Sequence, residues 1–331
     1  MDVTSGDINA PVYRPGQRAG HYESWYLRAN HPDRPLAFWL RYTIFAPTGR
    51  PDDAVGELWA VAFDGTARAH AVGKVRRPLR ESEFAAFPLR VGEAELSRGA
   101  LTGRAGPVSW ALAYDGGEEP VLLLPPRLYR GGFPKAKSLV PRPLARFTGR
   151  YAIDDQPVEV HGWLGSQNHN WGSRHTARYA FGQVAGFDAA PGSFLELATV
   201  KATIAGPLTT PWATTLVLRH EGREYSFVGL REALRARGRY RPFTWEFATG
   251  EKDVRISGRI TAEPDAFVGL RYDDPPGGVK HCLNTKIASA EVTLEAGGRP
   301  VELRTADRAL FEILTDEPAV EGRVHGVALR A

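Results

Sequence analysis

The sequence predicts an all-β protein built from two antiparallel β-barrels or sandwiches packed together, with one or two short helices. Apolar and polar residues alternate with a period of two over many short segments, which is typical of half-buried antiparallel strands. The 35 glycines and 25 prolines separate these segments into turns. A length of 331 residues is enough for two ordinary cores, so two barrels fit better than one.

The clearest strand is 253–261, where Val254 and the other apolar residues lie on one face and Arg255 and polar residues lie on the other. The segments 291–295 and 301–304 repeat this alternation on either side of a Gly-Gly turn, which predicts a hairpin. Further strands are predicted at 21–30, 36–46, 56–64, 67–75, 107–114, 146–153, 178–188, 193–204, 212–220 and 224–229.

Helical periodicity is weak. Leu230 to Gly238 is the best helix candidate, and Glu81 to Ala86 could form another turn. The segment 115–145 is rich in proline and glycine and reads as the connection between two domains, because proline cannot donate to a central ladder. We therefore predict an N-terminal β domain over 1–142 and a C-terminal β domain over 143–331.

The strand 36–46 carries aromatic residues on both faces, among them Phe38, Trp39, Tyr42 and Phe45. One face of such a strand lines a barrel, and the other face needs cover from a second layer. This pattern favours two domains that pack against each other.

The chain has a formal net charge of +4 and a pI of about 9.2, with groups of arginine at 76–80 and 231–241. These groups are typical of solvated surface charge. The alternative is a docking surface for peripheral contact with an anionic membrane or an acidic partner. No nucleic-acid-binding motif is present, so nucleic acid is not an expected partner.

Cys282 is the only cysteine, so an intramolecular disulfide is excluded and the composition suits a reducing compartment. The N-terminus carries Asp2 and Asp7 and no apolar segment typical of a signal peptide. The longest aliphatic run, 121–124, is far too short to span a bilayer. We expect a cytoplasmic protein.

The segment 161–188 concentrates amide, imidazole and indole side chains. In an extended strand, Asn168 and Asn170 share one face, and His169 and Trp171 project together from the other. Such a set fits either a ligand site or a buried polar network that fixes the loop. If the set forms a ligand site, we expect His169 to be a catalytic group. The ligand-binding residues would then be Asn168, Asn170, Trp171, Tyr179 and Gln183.

A second cluster, 20–28, places Glu23 and Trp25 on one strand face. An acid among aromatic side chains loses hydration, so the pKa of Glu23 should rise and the group could donate a proton. A Glu paired with Arg at a barrel mouth is the alternative. Glu196, between Leu195 and Leu197, is a similar and weaker case, and Asp188 could simply start a turn.

No metal and no cofactor are expected. His161, His169 and His175 lack the spacing of a helical metal-binding pair, and no nearby cysteine completes a set. Phosphate-binding loops, dinucleotide fingerprints and nucleophile elbows are absent from the sequence. Lys286 could pair with an interior acid or face solvent, and Cys282 reads as a core residue.

Residues 162–172, Gly-Trp-Leu-Gly-Ser-Gln-Asn-His-Asn-Trp-Gly, resemble the carotenoid 1,2-hydratase (hydroxyneurosporene synthase) superfamily, which includes AttH-like proteins and natural-product cyclases of the Diels–Alderase type. Glu-Ser-Trp-Tyr at 23–26 is also similar to an early strand of these proteins. The resemblance implies two tandem lipocalin-like barrels and a pocket lined by His169 and Trp171. In the hydratase branch these residues act with a downstream Tyr-x-Asp pair on an isoprenoid double bond. The region from Tyr179 onward departs from that pattern, so the chain reads as a divergent member.

Two functions follow as hypotheses. The first is an enzyme that binds a large apolar, isoprenoid- or polyketide-like molecule and performs cofactor-independent acid–base chemistry, either hydration or cyclisation, with His169 or Glu23 as proton donor and Trp25 and Trp171 as apolar walls. The second is a non-catalytic carrier of a lipid-like ligand, which needs the same pocket without a proton donor. The sequence leaves the substrate, the reaction type and the oligomeric state open.

Overall fold

A computed structural model describes residues 7–205 and 208–317. Nearly all regular structure is β-strand, in two large antiparallel sheets that confirm the predicted fold class. The prediction about the N-terminus rests partly on Asp2, which lies outside the described residues.

The first sheet has twelve strands. They are β1 (His21–Asn30), β2 (Leu36–Ala46), β3 (Val55–Asp64), β4 (Ala69–Pro78), β5 (Ser82–Glu83), β6 (Leu89–Val91), β7 (Ala94–Leu96), β8 (Ala100–Ala105), β9 (Val108–Gly116), β10 (Val121–Leu122), β11 (Ala136–Ile153) and β12 (Gln156–Gly172). Their order is β4-β3-β2-β1-β12-β11-β9-β8-β7-β6-β5, with β10 paired to β11. The sheet curls into a nearly closed barrel.

The second sheet has ten strands, in the order β18-β17-β14-β13-β24-β23-β21-β20-β19, with β22 paired to β23. They are β13 (Arg178–Ala185), β14 (Phe194–Lys201), β17 (Ala213–His220), β18 (Arg223–Phe227), β19 (Arg237–Arg241), β20 (Thr244–Glu251), β21 (Val254–Thr261), β22 (Val268–Asp273), β23 (Val279–Ala296) and β24 (Val301–Thr315). A separate two-stranded sheet consists of β15 (Thr203–Ala205) and β16 (Leu208–Thr209).

Helical structure is sparse in the described ranges. The α-helix α1 (Leu230–Arg235) lies within the predicted helix, whose last residues instead begin β19. Short 3-10 turns lie at Pro51–Asp53, Leu79–Glu81, Pro126–Tyr129 and Pro264–Ala266. The helical turn predicted for Glu81 to Ala86 is wrong, because the turn ends at Glu81 and β5 follows it.

The connection predicted for 115–145 is wrong from Ala136 onward, where the long strand β11 begins. Its pairing with β12 shifts register between Leu139 and Arg142 and between Pro143 and Ala145, which accommodates the prolines that lack an N–H. The predicted domain boundary at 142/143 falls inside β11, and the change of sheet comes between Gly172 and Arg178. The division into two domains stays a prediction.

Each sheet encloses an apolar core, and a third apolar cluster lies between the sheets. Phe38 and Tyr42 point into the first barrel, while Trp39, one residue along, contacts the layer that contains Leu310 and Leu314 of β24. The cover predicted for a strand that is aromatic on both faces is therefore the second sheet. No helix within the described ranges has the length and apolar character needed to cross a bilayer.

Candidate functional site

The strands β1 and β12 lie side by side and carry most of the predicted site. Their antiparallel register places Trp25 opposite His169, and Tyr26 opposite Asn168. Because side chains alternate along a strand, the predicted residues divide between two faces. His169 and Glu23 face the first barrel, whereas Asn168 faces the second sheet, as its hydrogen bond with Gln183 shows.

On the inner face, Glu23 and His169 form a fully buried pair. Nε2 of His169 lies 2.8 Å from Oε1 of Glu23, and Nδ1 lies 2.8 Å from the carbonyl oxygen of Ile8. The Glu23 carboxylate also accepts hydrogen bonds from the backbone N–H groups of Val12 and Tyr13 and contacts Nε2 of His21 at 3.1 Å. Every polar atom of the pair therefore has a protein partner.

The expected rise in the pKa of Glu23 is wrong. Burial alone would raise the pKa of this carboxyl, but its hydrogen bonds with His169 and His21 outweigh burial and lower the pKa to about 2. Glu23 is therefore a carboxylate at neutral pH. A sequence argument from burial alone did not include the hydrogen bonds that His21 and His169 make with the carboxylate.

The indole rings predicted as apolar walls enclose His169. Trp25 stacks on the His169 imidazole with ring centroids 4.7 Å apart. The Trp171 ring is tilted against the same imidazole, with ring centroids 4.8 Å apart. Nε1 of Trp25 donates to the carbonyl oxygen of Asn9, and Nε2 of Gln167 donates to Oδ1 of Asn9. The inner face thus anchors the N-terminal segment 8–13 across the barrel.

On the outer face, a small cavity of about 50 Å³ lies between the two sheets. It is lined by residues of β1, β2, β12, the connection 173–177, β13, β22 and β24: Tyr22, Tyr26, Trp39, Arg41, Asn170, His175, Thr176, Tyr179, Tyr272 and Glu312. We call this space the interface cavity.

Three lining residues each have a buried polar atom without a hydrogen-bond partner: Nε of Arg41, Nε1 of Trp39 and Oδ1 of Asn170. Buried polar groups are nearly always paired, so such atoms beside a cavity mark a place for a ligand or for water. The Arg41 guanidinium lies over the ring of Tyr272, 4.8 Å from its centroid, and donates to Oγ of Ser24 at 2.7 Å.

A charged cluster adjoins the interface cavity. Lys286, which has no exposed surface, donates to Oε1 of Glu312 at 2.9 Å, and Nδ2 of Asn284 donates to the same oxygen at 2.8 Å. The hydroxyl of Tyr179 lies 3.3 Å from Oε2 of Glu312. Burial lowers the pKa of Lys286 and raises the pKa of Tyr179 well above its usual value. The interior partner expected for Lys286 is Glu312.

A second polar network lies next to Asn168. Nε2 of Gln183 donates to Oδ1 of Asn168 at 2.8 Å and to Oε2 of Glu196 at 2.7 Å, while Oε1 of Gln183 accepts from Nε of the fully buried Arg28. Burial raises the pKa of Glu196 to about 8, and its Oε1 atom has no partner. The carboxyl kept protonated near neutral pH is therefore Glu196, the weaker of the two sequence candidates.

The structure brings Asn170 and Tyr179 to the interface cavity, with Asn168 and Gln183 in the adjoining network. It places His169, Glu23, Trp25 and Trp171 elsewhere, on the inner face. Sequence analysis missed Arg41, Tyr272 and Glu312. Glu312 had a readable signal, because it stands alone in the apolar run Leu-Phe-Glu-Ile-Leu.

The three histidines weighed as a metal set are separated. His161 is exposed, His169 lies on the inner face, and His175 stacks on Tyr22 at 4.0 Å beside the interface cavity. Within residues 7–205 and 208–317, no group of three or more His, Cys, Asp or Glu side chains is placed to hold a metal ion. Cys282 is buried, as expected of a core residue.

Solved structures with the same architecture confirm the fold resemblance. An AttH-like protein from Nitrosomonas europaea matches with a TM-score of 0.59 at 13% identity, over 96% of this chain and 99% of its own. Kievitone hydratase from Nectria haematococca matches with a TM-score of 0.57 at 9% identity, over 90% of this chain and 89% of its own. CghA matches with a TM-score of 0.50 at 12% identity, over 90% of both chains.

The chain is thus a protein of the tandem lipocalin-like fold that AttH-like proteins and kievitone hydratase share. No protein-family model and no curated protein sequence matches it. At these identities the likeness concerns the fold.

Proposed function

We propose that this protein binds a mostly apolar small molecule, isoprenoid- or polyketide-like, at the interface cavity and performs cofactor-independent hydration or cyclisation on it by proton transfer. One observation carries the proposal: three of the residues that line the interface cavity together with Tyr179 and Glu312 each have a buried polar atom without a hydrogen-bond partner. The hydratase that shares the fold acts, by its name, on kievitone, which fits this class of chemistry.

The geometry supplies a proton donor and an acceptor in contact. The Tyr179 hydroxyl is protonated at neutral pH, and the Glu312 carboxylate 3.3 Å away can receive a proton. In a hydration, Tyr179 donates a proton to one alkene carbon. A water molecule forms a C–O bond to the other carbon and releases its proton to Glu312. Transfer from Glu312 to the Tyr179 oxygen restores the pair, so one water is added overall.

The walls of the cavity suit a cationic intermediate. The rings of Tyr26, Trp39 and Tyr272 line it, and aromatic faces stabilise positive charge by cation–π attraction. Lys286 balances the charge of Glu312 from outside the cavity. Without a water molecule in place, the same proton donation followed by attack of a second double bond would close a ring.

The cavity volume of about 50 Å³ holds the reacting end of a molecule and not its apolar body. His175 and Thr176 of the connection 173–177 form part of its lining. Entry of a larger ligand therefore requires this connection to move, and we expect ligand binding to change the environment of the stacked Tyr22 and His175 rings.

Catalysis by His169 and Glu23, with Trp25 and Trp171 as walls, is the competing assignment within the same function. It requires residues 8–13 to leave, because their backbone groups occupy the polar atoms of this pair. In the cavity-based proposal, His169 and Glu23 instead position β12 so that Asn168 and Asn170 face the second sheet.

The test uses kievitone and geraniol as probes, incubated with the purified protein in ¹⁸O-labelled water and analysed by mass spectrometry. We expect addition of one labelled water, or an isomeric cyclised product. Tyr179→Phe should lower turnover by about 10²–10⁴-fold, the usual contribution of a positioned general acid. Tyr240→Phe, a partly exposed tyrosine of β19, is the matched control and should leave turnover unchanged.

Binding is measured separately by native mass spectrometry and by extraction of molecules that copurify. Retention of an apolar molecule without conversion by the unmodified protein would favour a carrier. Unchanged turnover in a folded Tyr179→Phe variant, together with loss of turnover in His169→Gln, would move the site to the inner face.

A further inference from the structure

The edge strand β19 and the preceding helix α1 form a strongly basic face. Between residues 231 and 241 the chain has five arginines and one acid, Glu232, giving a local net charge of +4 that equals the formal charge of the whole protein. All five side chains are exposed: Arg231, Arg235, Arg237, Arg239 and Arg241. We call this surface, with the exposed leucines of α1, the basic face.

The side chains of these arginines form no ion pair or hydrogen bond with another described residue, in contrast to Arg76, Arg90 and Arg219, which are paired with acids. A groove of about 480 Å³ adjoins the basic face and extends it with Lys252 and Arg255, against Glu251. Glu246 lies opposite Arg239 across the β19–β20 pair and Glu251 lines the groove, but the basic residues outnumber the acids, so the face keeps a net positive potential.

Two exposed leucines lie on α1, the helix that directly precedes β19. Leu230 is 71% exposed and Leu234 is 47% exposed, and their spacing of four residues puts them on one side of α1. The buried Ala233 takes the side of the helix that packs on the sheet. Exposed leucines beside unpaired arginines are the combination found on surfaces that sit at the lipid headgroup boundary.

We propose that the basic face docks the protein onto an anionic membrane surface. The arginines bind lipid phosphate and carboxylate groups, and Leu230 and Leu234 insert among the headgroups. A nucleic acid or an acidic peptide would use the arginines but would leave both leucines in water, so the leucines favour lipid. The inference is independent of the proposed function, although docking would bring the protein to the phase in which apolar molecules collect.

The test is flotation with phosphatidylcholine vesicles that contain or lack phosphatidylserine, using the full chain. We expect binding only to the phosphatidylserine vesicles, weakening as salt is added because the attraction is screened. Removing three arginines with Arg235→Gln, Arg237→Gln and Arg239→Gln should weaken binding by roughly a hundredfold, since each basic residue near the surface contributes about fivefold.

The matched control removes three other exposed arginines that have no ion pair with a described residue, by Arg14→Gln, Arg146→Gln and Arg150→Gln. It changes net charge equally and should affect binding far less. Leu230→Ser with Leu234→Ser should weaken binding while leaving its salt dependence intact. Circular dichroism establishes that each variant is folded.

Three results would overturn the proposal. The first is failure of the unmodified protein to bind phosphatidylserine vesicles at low salt. The second is an equal loss of binding in the control triple variant. The third is tighter binding to a duplex oligonucleotide or a polyglutamate peptide, unaffected by the leucine substitutions.

Discussion

Replacing Glu23 with Gln should destabilise the protein by about 3 kcal/mol at neutral pH. The pKa of Glu23 is about 2 in the folded protein against an ordinary 4.5, and each unit of difference corresponds to about 1.4 kcal/mol. The amide places an N–H group where the carboxylate accepts from Val12, Tyr13 or a histidine, so at least one donor loses its acceptor.

The lowered pKa of Glu23 also determines how the free energy of unfolding depends on pH. A lowered folded-state pKa contributes stability that is present above the unfolded pKa of 4.5 and is lost as pH falls through about 2. For the unmodified protein, roughly half or more of the contribution should be gone near pH 3. The difference in stability between the unmodified protein and Glu23→Gln should shrink over this range.

Urea denaturation followed by the fluorescence of the eight tryptophans measures both effects. Glu246→Gln, on the exposed face of β20, is the control and should leave the unfolding free energy unchanged. Equal stability of Glu23→Gln and the unmodified protein at pH 7 would refute the account of the carboxylate. So would a difference that stays constant down to pH 2.

Two further predictions concern the interface. The pKa of Glu196 is raised to about 8, so ionisation of this carboxyl costs stability as pH rises from 4.5 towards 8. Glu196→Gln should therefore match the unmodified protein near pH 4 and be more stable by several kcal/mol at pH 9. An advantage that does not grow with pH in urea unfolding would contradict this. Lys286→Met should cost about 3–5 kcal/mol because it leaves the Glu312 carboxylate with only neutral partners, and adding Glu312→Leu should restore most of the unfolding free energy. A double variant no more stable than the single one would argue against this coupling.

The sequence predicted the fold class well because strand alternation is a local property. Most predicted strands appear within a few residues, and the division of Asn168 from His169 follows from alternation alone. The strand β12 was harder to recognise, since Gln-Asn-His-Asn carries polar side chains on both faces and is buried on both. The prolines of β11 led to the wrong prediction of a connection there, because bulges allow this long strand to contain Pro141 and Pro143.

The candidate site could be predicted only in part. Which face of β12 borders the interface cavity depends on residues far along the chain, such as Glu312 on β24, and no local pattern specifies that contact. The pKa of Glu23 depends on its pairing with His169, which the fold brings from β12 to a position beside β1. Glu196 and Glu312, each alone in an apolar strand, show that an isolated acid in a buried run was the more useful signal.

The long sequence separation between β1 and β12, which pair in the first sheet, has a consequence for folding during synthesis. The Ile8 carbonyl and His169 are 161 residues apart, and β1 pairs with β12 on one side and β2 on the other. A nascent chain therefore emerges with one edge of β1 unpaired until β12 has left the ribosome. Unpaired strand edges invite pairing with other chains, so fragments that end before Gln156 should aggregate, and the first barrel should complete its folding late in translation.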